Sequence, residues 1–454
     1  MLSLAERKQP QKEMVILKGS YTVKPAEATP NNRLRLSEFD QPKPFTHAPT
    51  VYFYRPIGNS VASAMDTMRD SLSRALVHFY SLAGRLYSIG GGRFELECNA
   101  MGALLFEAES EAKIDDLGDF RPTPEIRELI PHVDYSTPTH ELPLLVVQLT
   151  RFRCGGVSIG MGISHIIVDG QSALHFFSEW ARIARGEKLD TTPFLDRTVF
   201  LDQNPPGAPR FDHEEFSTPP LLLGRADEKE QRKMETTVAM LKLTKDQIEK
   251  LKKEANEGHC GRPYSRYEAV AGHMWRCACK ARGHEGHQIT KIRVAVDCRN
   301  RLQPPLPKGY FGNAALPTTP TSRAGDLVSK PLGYASSRIR EAVEKMTEEY
   351  VRSALDFLRG QPDMSKLRTF HTLGCTQGAF FGNPNMEITS WMGLPIYGAD
   401  FGWGKEFHMG PGSLGFDGKS FILHDPHVDG SFIVPLRLQV DFMDAFKKFL
   451  YEDI

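Results

Sequence analysis

An alternating β-arm in the first half of the chain restricts the fold more than any other sequence pattern. Leu144–Phe152 and Val157–Ile163 are apolar segments joined by a turn that contains two glycines. In the second segment, apolar side chains alternate with serine or glycine, the period of a strand with one buried face. The arm ends at His165, and a helix with an apolar stripe is predicted after Gly170. A hairpin that feeds directly into a helix indicates a mixed sheet with helices packed on it.

A proline-rich segment divides the chain. Residues 202–224 contain five prolines and little periodicity. We therefore predict an N-terminal domain over 1–201, a crossover linker over 202–235 and a C-terminal domain over 236–454. Strands and helices alternate irregularly in both halves, which favours α/β domains with α+β-like mixed sheets over a doubly wound sheet. The apolar patterns also predict one long helix over 336–358 and strands over 386–397, 418–423 and 431–440.

The composition excludes several classes of protein. The 454 residues include 56 Lys+Arg and 56 Asp+Glu, a balance that argues against nucleic acid or an anionic membrane as partner. There is no run of 18 apolar residues, and the first ten residues lack the apolar core of a signal peptide. Seven cysteines without metal-site spacing predict reduced thiols and no metal. We expect a cytoplasmic, monomeric enzyme that acts on small molecules.

His165 and Asp169 lie four residues apart at the end of the β-arm, just before Gly170. A histidine at a rigid strand end is well placed to act as a general base near neutral pH. The alternative is a hydrogen-bonded structural histidine beside an aspartate that stabilises the next helix. The residues alone leave both interpretations open.

Three further motifs match chemical signatures without the context that those signatures need. Ser158 lies in a GxSxG sequence, but within a strand rather than at a strand–helix elbow. Residues 410–415 match GxGxxG, but a strand rather than a helix follows. Asp400 begins a DFG sequence that lacks the other kinase motifs. We interpret these three as a strand, a glycine loop and a tight turn, and keep a serine hydrolase as an alternative.

The HxxxDG turn at 165–170, the YFGN segment at 310–313 and the DFGWG turn at 400–404 occur in this order over most of the chain. As a set they resemble the plant BAHD family of acyl-CoA-dependent acyltransferases. The resemblance implies two similar-sized, chloramphenicol-acetyltransferase-like domains with an active-site channel between them. It also implies acyl-CoA as a co-substrate, no permanently bound cofactor and no covalent acyl-enzyme.

The resemblance also assigns roles to individual residues. His165 matches the general base, and Asp169 matches a supporting aspartate whose arginine partner would be Arg301. Thr389 and Trp391 match positions near the thioester oxygen. The other matching positions are Ser265 and Arg266 for coenzyme A, and Asp400, Gly402 and Trp403 for a structural turn.

The acceptor prediction depends on charge. Related shikimate and quinate hydroxycinnamoyltransferases carry an arginine where this chain has Thr376, and no Lys, Arg or His occurs from Thr372 to Gly404. A wall without positive charge favours a cationic acceptor. The sequence, most similar around its motifs to spermidine hydroxycinnamoyltransferases, therefore predicts hydroxycinnamoyl transfer to spermidine, with Glu387 as a candidate contact. O-acylation of shikimate or quinate is the alternative, and a catalytically dead member of the fold is another.

Overall fold

The computed structural model describes residues 14–56, 63–200, 207–225, 229–368 and 381–454. The strands in these ranges are β1 Val15–Val23, β2 Arg33–Arg35, β3 His47–Tyr54, β4 Arg85–Gly90, β5 Arg93–Glu97, β6 Ala103–Ser110, β7 Leu145–Phe152, β8 Val157–Ser164, β9 Thr236–Leu243, β10 Ile289–Asp297, β11 Ala315–Thr318, β12 Thr321–Arg323, β13 Met386–Ser390, β14 His408–Pro411, β15 Lys419–His424 and β16 Phe432–Gln439. The helices are α1 Ala64–His78, α2 Pro124–Glu128, α3 Gly170–Ala184, α4 Lys229–Lys233, α5 Lys245–Ala255, α6 Arg266–Ala281, α7 Ala324–Ser329, α8 Leu332–Glu344, α9 Glu348–Arg359, α10 Ser365–Arg368 and α11 Val440–Glu452.

Two large sheets organise these elements. The first has the order β1-β6-β7-β8-β3-β14, and the second has β11-β10-β13-β15-β16-β9 with β12 beside β10. A small sheet, β2-β5-β4, belongs to the first half. Both large sheets mix parallel and antiparallel pairs, as in β6–β7 and β7–β8. The fold is therefore the mixed α/β architecture that the sequence predicts.

One strand crosses from the second half of the chain into the first sheet. Strand β14 pairs antiparallel with β3, placing His408 opposite Phe53 and Pro411 opposite Thr50. Buried side chains of the second half, Phe401 and Met409 among them, also join the apolar core of the first. Because the segment 408–411 completes the first sheet, the described architecture does not separate cleanly at the predicted linker.

Strand β8 is buried along its whole length, so the prediction of a strand with one solvated face is wrong. Its glycine face is covered by the chain at the end of α2. A Cβ atom on Gly160 would lie 1.9 Å from the carbonyl oxygen of Leu129, closer than any real contact allows. The alternation therefore reflects a close approach of two backbones, and solvent does not reach that face.

Two predicted elements are shorter than their patterns indicated. The long helix over 336–358 is instead two helices, because Thr347 accepts a hydrogen bond from the amide of Tyr350 and begins α9 as its N-cap. The predicted strand over 386–397 ends at Ser390, where the chain turns away from the sheet. For the helix, the capping bond at Thr347 outweighs the apolar pattern.

A buried polar network fixes the described part of the linker to α9. The His213 ring contacts Glu215 Oε1 through Nδ1 and Ser353 Oγ through Nε2, both at 2.9 Å. Ser353 Oγ also accepts hydrogen bonds from the amides of Arg210 and Phe211, at 2.8 and 3.2 Å. The serine proton is thus directed at His213, and the network ties the crossing chain to a helix of the second half.

Candidate active site

A cavity of about 260 Å³ lies between the two halves of the chain. Its walls carry apolar residues of β3, β8 and α3 on one side and residues of β10, β13 and β15 on the other. The side chains with chemical function that line it are Lys43, Thr46, His47, Thr50, Tyr52, His165, Asp169, Arg293, Glu387, Thr389, Trp391, Ser413 and Lys419. A cavity that both halves build matches the predicted channel.

His165 enters this cavity directly after the end of β8. Its amide donates to the carbonyl of Thr46 at 3.0 Å, and its ring nitrogen Nδ1 is buried. Because the ring borders the cavity, Nε2 is the nitrogen available to a substrate. Burial lowers the pKa of His165 below its ordinary value, and the charge of Lys43 lowers it further. The imidazole is therefore neutral at pH 7 and able to accept a proton.

The YFGN segment, residues 310–313, is hydrogen-bonded to the turn that carries His165. Asn313 Nδ2 donates to the carbonyl of His165 at 3.0 Å and to Asp40 Oδ1 at 2.8 Å. Asp40 is fully buried and pairs with Arg197 at 2.9 Å. Arg197 in turn donates to the carbonyl of Ile167, inside the same turn. Asp40 and Arg197 carry no local sequence signal of this role, because each lies far along the chain from the motif that it supports.

Asp169 is paired with Arg299, so the predicted partner Arg301 is wrong. The two guanidinium nitrogens of Arg299 lie 2.8 and 2.9 Å from the two carboxylate oxygens of Asp169. Arg301 points the other way and donates to the carbonyls of Val343 and Met346 at the end of α8. Both arginines lie in one charged turn after β10, and only the fold shows which of the two faces the aspartate.

The charge of Asp169 is stabilised by its surroundings. Burial alone would raise its pKa, but the charge and hydrogen bonds of Arg299, with the amides of Ser172 and Ala314, hold the pKa below its ordinary value. Asp169 is also the N-cap of α3 through the bond from Ser172. It thus fixes the turn that carries His165, and its supporting role in the reaction stays a prediction.

Thr389 and Trp391 lie on the wall formed by the second half. Lys419 Nζ donates a hydrogen bond to Thr389 Oγ1 at 3.2 Å, which leaves the threonine O–H free to donate to a ligand. The Trp391 indole packs on Phe421, with ring centroids 4.5 Å apart. Both side chains line the cavity that contains His165, so a thioester carbonyl beside Thr389 could accept a hydrogen bond from its hydroxyl.

The cavity wall is positively charged, contrary to the prediction of a wall without cations. Glu387, the predicted polyamine contact, lies between Arg293 and Lys419 on adjacent strands β10, β13 and β15. Its carboxylate is hydrogen-bonded to Lys419 and 3.6 Å from Arg293. The charges of those two side chains outweigh burial and hold the pKa of Glu387 below its ordinary value. The cations lie outside residues 372–404, the segment on which the prediction of an uncharged wall depended.

The other predicted residues that the structure describes do not line this cavity. Ser265 is the N-cap of α6, and Arg266 pairs with Glu249 at 2.6 Å. Asp400 Oδ1 accepts from the amides of Gly402 and Gly404, and Trp403 stacks on Phe401. Coenzyme contacts at Ser265 and Arg266 stay a prediction, and Thr376 lies outside the described residues.

The serine-hydrolase alternative finds no support in this geometry. Ser158 lies in the middle of β8, its hydroxyl is buried, and the described residues give that hydroxyl no hydrogen-bond partner. A nucleophile needs a base within hydrogen-bond reach and access to substrate, and Ser158 has neither among the described residues. Gly410 and Pro411 are in β14, so the GxGxxG match marks a strand end.

Solved structures with the same architecture identify the class of fold. Vinorine synthase superposes with a TM-score of 0.72 at 21% sequence identity, over 96% of this chain and 98% of its own. The TRI101 protein of F. sporotrichioides, solved with coenzyme A and T-2, superposes with a TM-score of 0.69 at 18% identity, over 92% of this chain and 97% of its own. The fold is thus that of these two proteins.

Sequence comparison identifies the family. The model of the family described as "Transferase family" matches residues 13–453. A hydroxycinnamoyl-CoA:piscidic acid hydroxycinnamoyltransferase of Actaea racemosa is 54% identical over 97% of this chain and all of its own length. A shikimate O-hydroxycinnamoyltransferase of Nicotiana tabacum is 47% identical over 96% of this chain and 99% of its own. The chain belongs to this transferase family, the BAHD acyltransferases, whose members use acyl-CoA as co-substrate.

Among the described residues, no helix is long and apolar enough to cross a membrane.

Proposed function

We propose that this protein transfers a hydroxycinnamoyl group from coenzyme A to a hydroxyl group of a carboxylic-acid acceptor. The acceptor assignment rests on the positive charge of the cavity wall, where Lys43, Arg293 and Lys419 line the same cavity as His165. Relatives named for piscidic acid and shikimate, at 54% and 47% identity, support an acidic acceptor and a hydroxycinnamoyl donor.

The reaction needs one base and one donor at the carbonyl. Neutral His165 removes the proton from the acceptor hydroxyl as its oxygen attacks the thioester carbonyl. The Thr389 hydroxyl donates to the oxyanion of the tetrahedral intermediate. When the carbon–sulfur bond breaks, the electron pair leaves with the sulfur and the imidazolium returns the proton to the thiolate. The products are the ester and coenzyme A, and no acyl-enzyme forms.

Unpaired hydroxyl groups in the cavity support a phenolic donor. Thr50 Oγ1 and Tyr52 OH line the cavity, are buried, and have no hydrogen-bond partner among the residues that the structure describes. Buried polar atoms without partners are costly, so a ligand that bonds them gains binding free energy. The phenol of a hydroxycinnamoyl ring provides both a donor and an acceptor among otherwise apolar walls.

A polyamine fits this wall poorly. Three cationic side chains repel an ammonium group, and Glu387 is already paired with two of them. The prediction of spermidine depended on a cavity wall without positive charge. The cavity contradicts that condition, because Lys43, Arg293 and Lys419 line it. N-acylation of spermidine is therefore the competing hypothesis in the test.

The test is a competition between acceptors. Purified protein is given caffeoyl-CoA with shikimate, quinate or spermidine, and released thiol and acylated product are quantified. We expect the acids to be acylated and spermidine to be inert. Faster acylation of spermidine would refute the acceptor assignment, and thiol release that no acceptor stimulates would refute the function itself.

The matched variant control is His165→Ala beside Ser158→Ala. The first should abolish acceptor-dependent thiol release with an unchanged circular dichroism spectrum. The second should keep most of the activity, because Ser158 lies in β8 away from the cavity lining.

A further inference from the structure

Residues 40–46 form the second part of the connection between β2 and β3, and we call them the cavity loop. The carbonyl of Thr46 accepts a hydrogen bond from the amide of His165 at 3.0 Å. Asp40 belongs to the buried network that holds the carbonyl of His165. The side chain of Lys43 lines the same cavity as His165. The path of this loop therefore sets the position of Lys43 relative to the base.

Arg368, at the end of α10, binds the cavity loop from the second half of the chain. Its Nη2 donates to the carbonyl of Gln41 at 2.7 Å and to that of Gly92 at 2.6 Å, and its Nε donates to the carbonyl of Lys43 at 3.2 Å. The residue is 5% exposed. Because the guanidinium is planar and rigid, these three bonds fix the backbone of Lys43 in direction as well as in distance.

Arg93 makes a similar set of bonds across the same interface, but to another segment. Its Nη2 donates to three carbonyls at the end of α9, those of Leu358, Arg359 and Gln361, at 2.9, 3.1 and 3.1 Å. Arg93 thus connects the two halves of the chain as Arg368 does, while its hydrogen bonds end on α9 and the residues after it rather than on the cavity loop.

The surroundings of His165 make the position of Lys43 important. The charged side chains that line the cavity with His165 are Lys43, Asp169, Arg293, Glu387 and Lys419. His47 and Tyr52 of β3 also line it, but burial lowers the pKa of His47 to about 4 and raises that of Tyr52, so neither is charged at pH 7. Burial lowers the pKa of His165 most, and among the charges near it that of Lys43 lowers it most strongly.

Lys43 is held at its ammonium as well as at its backbone. Its Nζ donates to the carbonyl of Ala315 at 3.0 Å. Burial lowers the pKa of Lys43 most. The groups whose charges also act on it are Asp169, Asp40 and Cys298, which raise its pKa, and Arg293, which lowers it. Since a Coulomb interaction weakens with distance, the effect of Lys43 on His165 depends on the contacts that keep the lysine in place.

We propose that Arg368 is a positioning residue, which holds the backbone of Lys43 so that the lysine charge stays at the cavity and keeps His165 unprotonated as the solution becomes acidic. This inference rests on His165 as the base of the proposed function. Arg368 is not among the residues that line the cavity, and it takes no part in the proton transfer. A contact between the two halves of the chain thus extends the pH range in which the base can work.

The test is the pH profile of kcat/KM over about pH 5–8, with caffeoyl-CoA and the best acceptor of the competition assay. A positive charge disfavours the imidazolium, so Lys43→Met should move the acid-side inflection to higher pH. Arg368→Met should move it in the same direction by a smaller amount, because the lysine remains but is held less firmly. The double variant should have the inflection of Lys43→Met alone, since the charge that Arg368 positions is already absent.

Arg93→Met is the matched control for a purely structural effect. Urea unfolding should show a loss of stability in both arginine variants, whereas the inflection should stay at its wild-type pH in Arg93→Met. Arg368→Lys keeps the positive charge but replaces the rigid fork by one ammonium, so it should also move the inflection to higher pH. It replaces Arg368→Met in the comparison if the methionine variant does not fold.

Each outcome has a separate meaning. An inflection that does not move in Lys43→Met, or in either folded variant of Arg368, would overturn the positioning role and leave the proposed function intact. An equal movement in Arg93→Met would also overturn it, as would a further movement when the Arg368 change is added to Lys43→Met. A wild-type profile without an acid-side inflection would instead refute His165 as the base and, with it, the mechanism of the proposed function.

Discussion

Replacing Arg299 with methionine removes the guanidinium that pairs with Asp169 and, at 3.0 Å, with Asp297. The substitution keeps an unbranched apolar stem but removes both bonds to the Asp169 carboxylate. It also removes bonds to Ser172 and to the carbonyl of Gly312. Breaking a buried ion pair from one side costs about 3–5 kcal/mol, because the remaining carboxylate stays buried without its partner.

Arg301→Met is the matched control. It lies two residues away in the same turn and donates to two carbonyls at the end of α8. Its loss should cost about 1–2 kcal/mol, because water can replace those bonds at a half-buried helix end. Unfolding in urea measures both costs, and thiol release measures kcat. We expect kcat to fall about 100-fold in Arg299→Met, because a small displacement of the His165 turn misplaces the base.

The pH dependence distinguishes an ion pair from simple packing. In the wild type the depressed pKa of Asp169 stabilises the fold above the unfolded pKa of about 4. That stabilisation is lost as the pH falls through the folded pKa. In Arg299→Met, burial without the arginine should raise the pKa of Asp169, so protonation removes the unpaired buried charge as the pH falls. The difference in the free energy of unfolding between the wild type and Arg299→Met should therefore be largest at pH 7 and should narrow towards pH 4. Equal costs for the two variants, or a gap independent of pH, would refute the reasoning.

Three other predictions concern the base, the oxyanion donor and the close contact of β8. Burial and the charge of Lys43 lower the pKa of His165, so the pH profile of kcat/KM should have its acid-side inflection below pH 6.5. An inflection above pH 7 would contradict a neutral base. Thr389→Val should lower kcat by about 10²–10³-fold whereas Thr389→Ser keeps most of it, as single-turnover thiol release would report; equal rates would exclude the hydroxyl as donor. Gly160→Ala should destabilise the protein by several kcal/mol in urea, whereas Gly186→Ala, where a Cβ meets no neighbour, should cost about 1 kcal/mol; similar costs would discount the Leu129 contact.

The elements that the sequence predicts well are those whose signals are local. Strand β8 and helix α3 both follow from short windows of residues. The end of α8 was also within reach, because Thr347 followed by two glutamates is an N-cap pattern. There the continuous apolar stripe favoured a single long helix instead.

The features that were missed depend on residues distant in the chain. The positive wall combines Lys43, Arg293 and Lys419, which only the pairing of β10, β13 and β15 brings together. The choice between Arg299 and Arg301 depends on the direction of the chain after β10. No window of sequence contains either fact, since both arise from tertiary contacts.

The return of β14 to the first sheet has a consequence for synthesis of the protein. Phe53 pairs with His408, about 355 positions later in translation. At ribosomal speed this amounts to roughly 20–70 s during which the nascent amino-terminal sheet has an open edge. An open edge pairs with strands of other chains, so chaperones that bind nascent chains have an exposed edge to bind during this interval. A polypeptide released before residue 408 would keep that edge permanently, and it would aggregate rather than survive as an independent half.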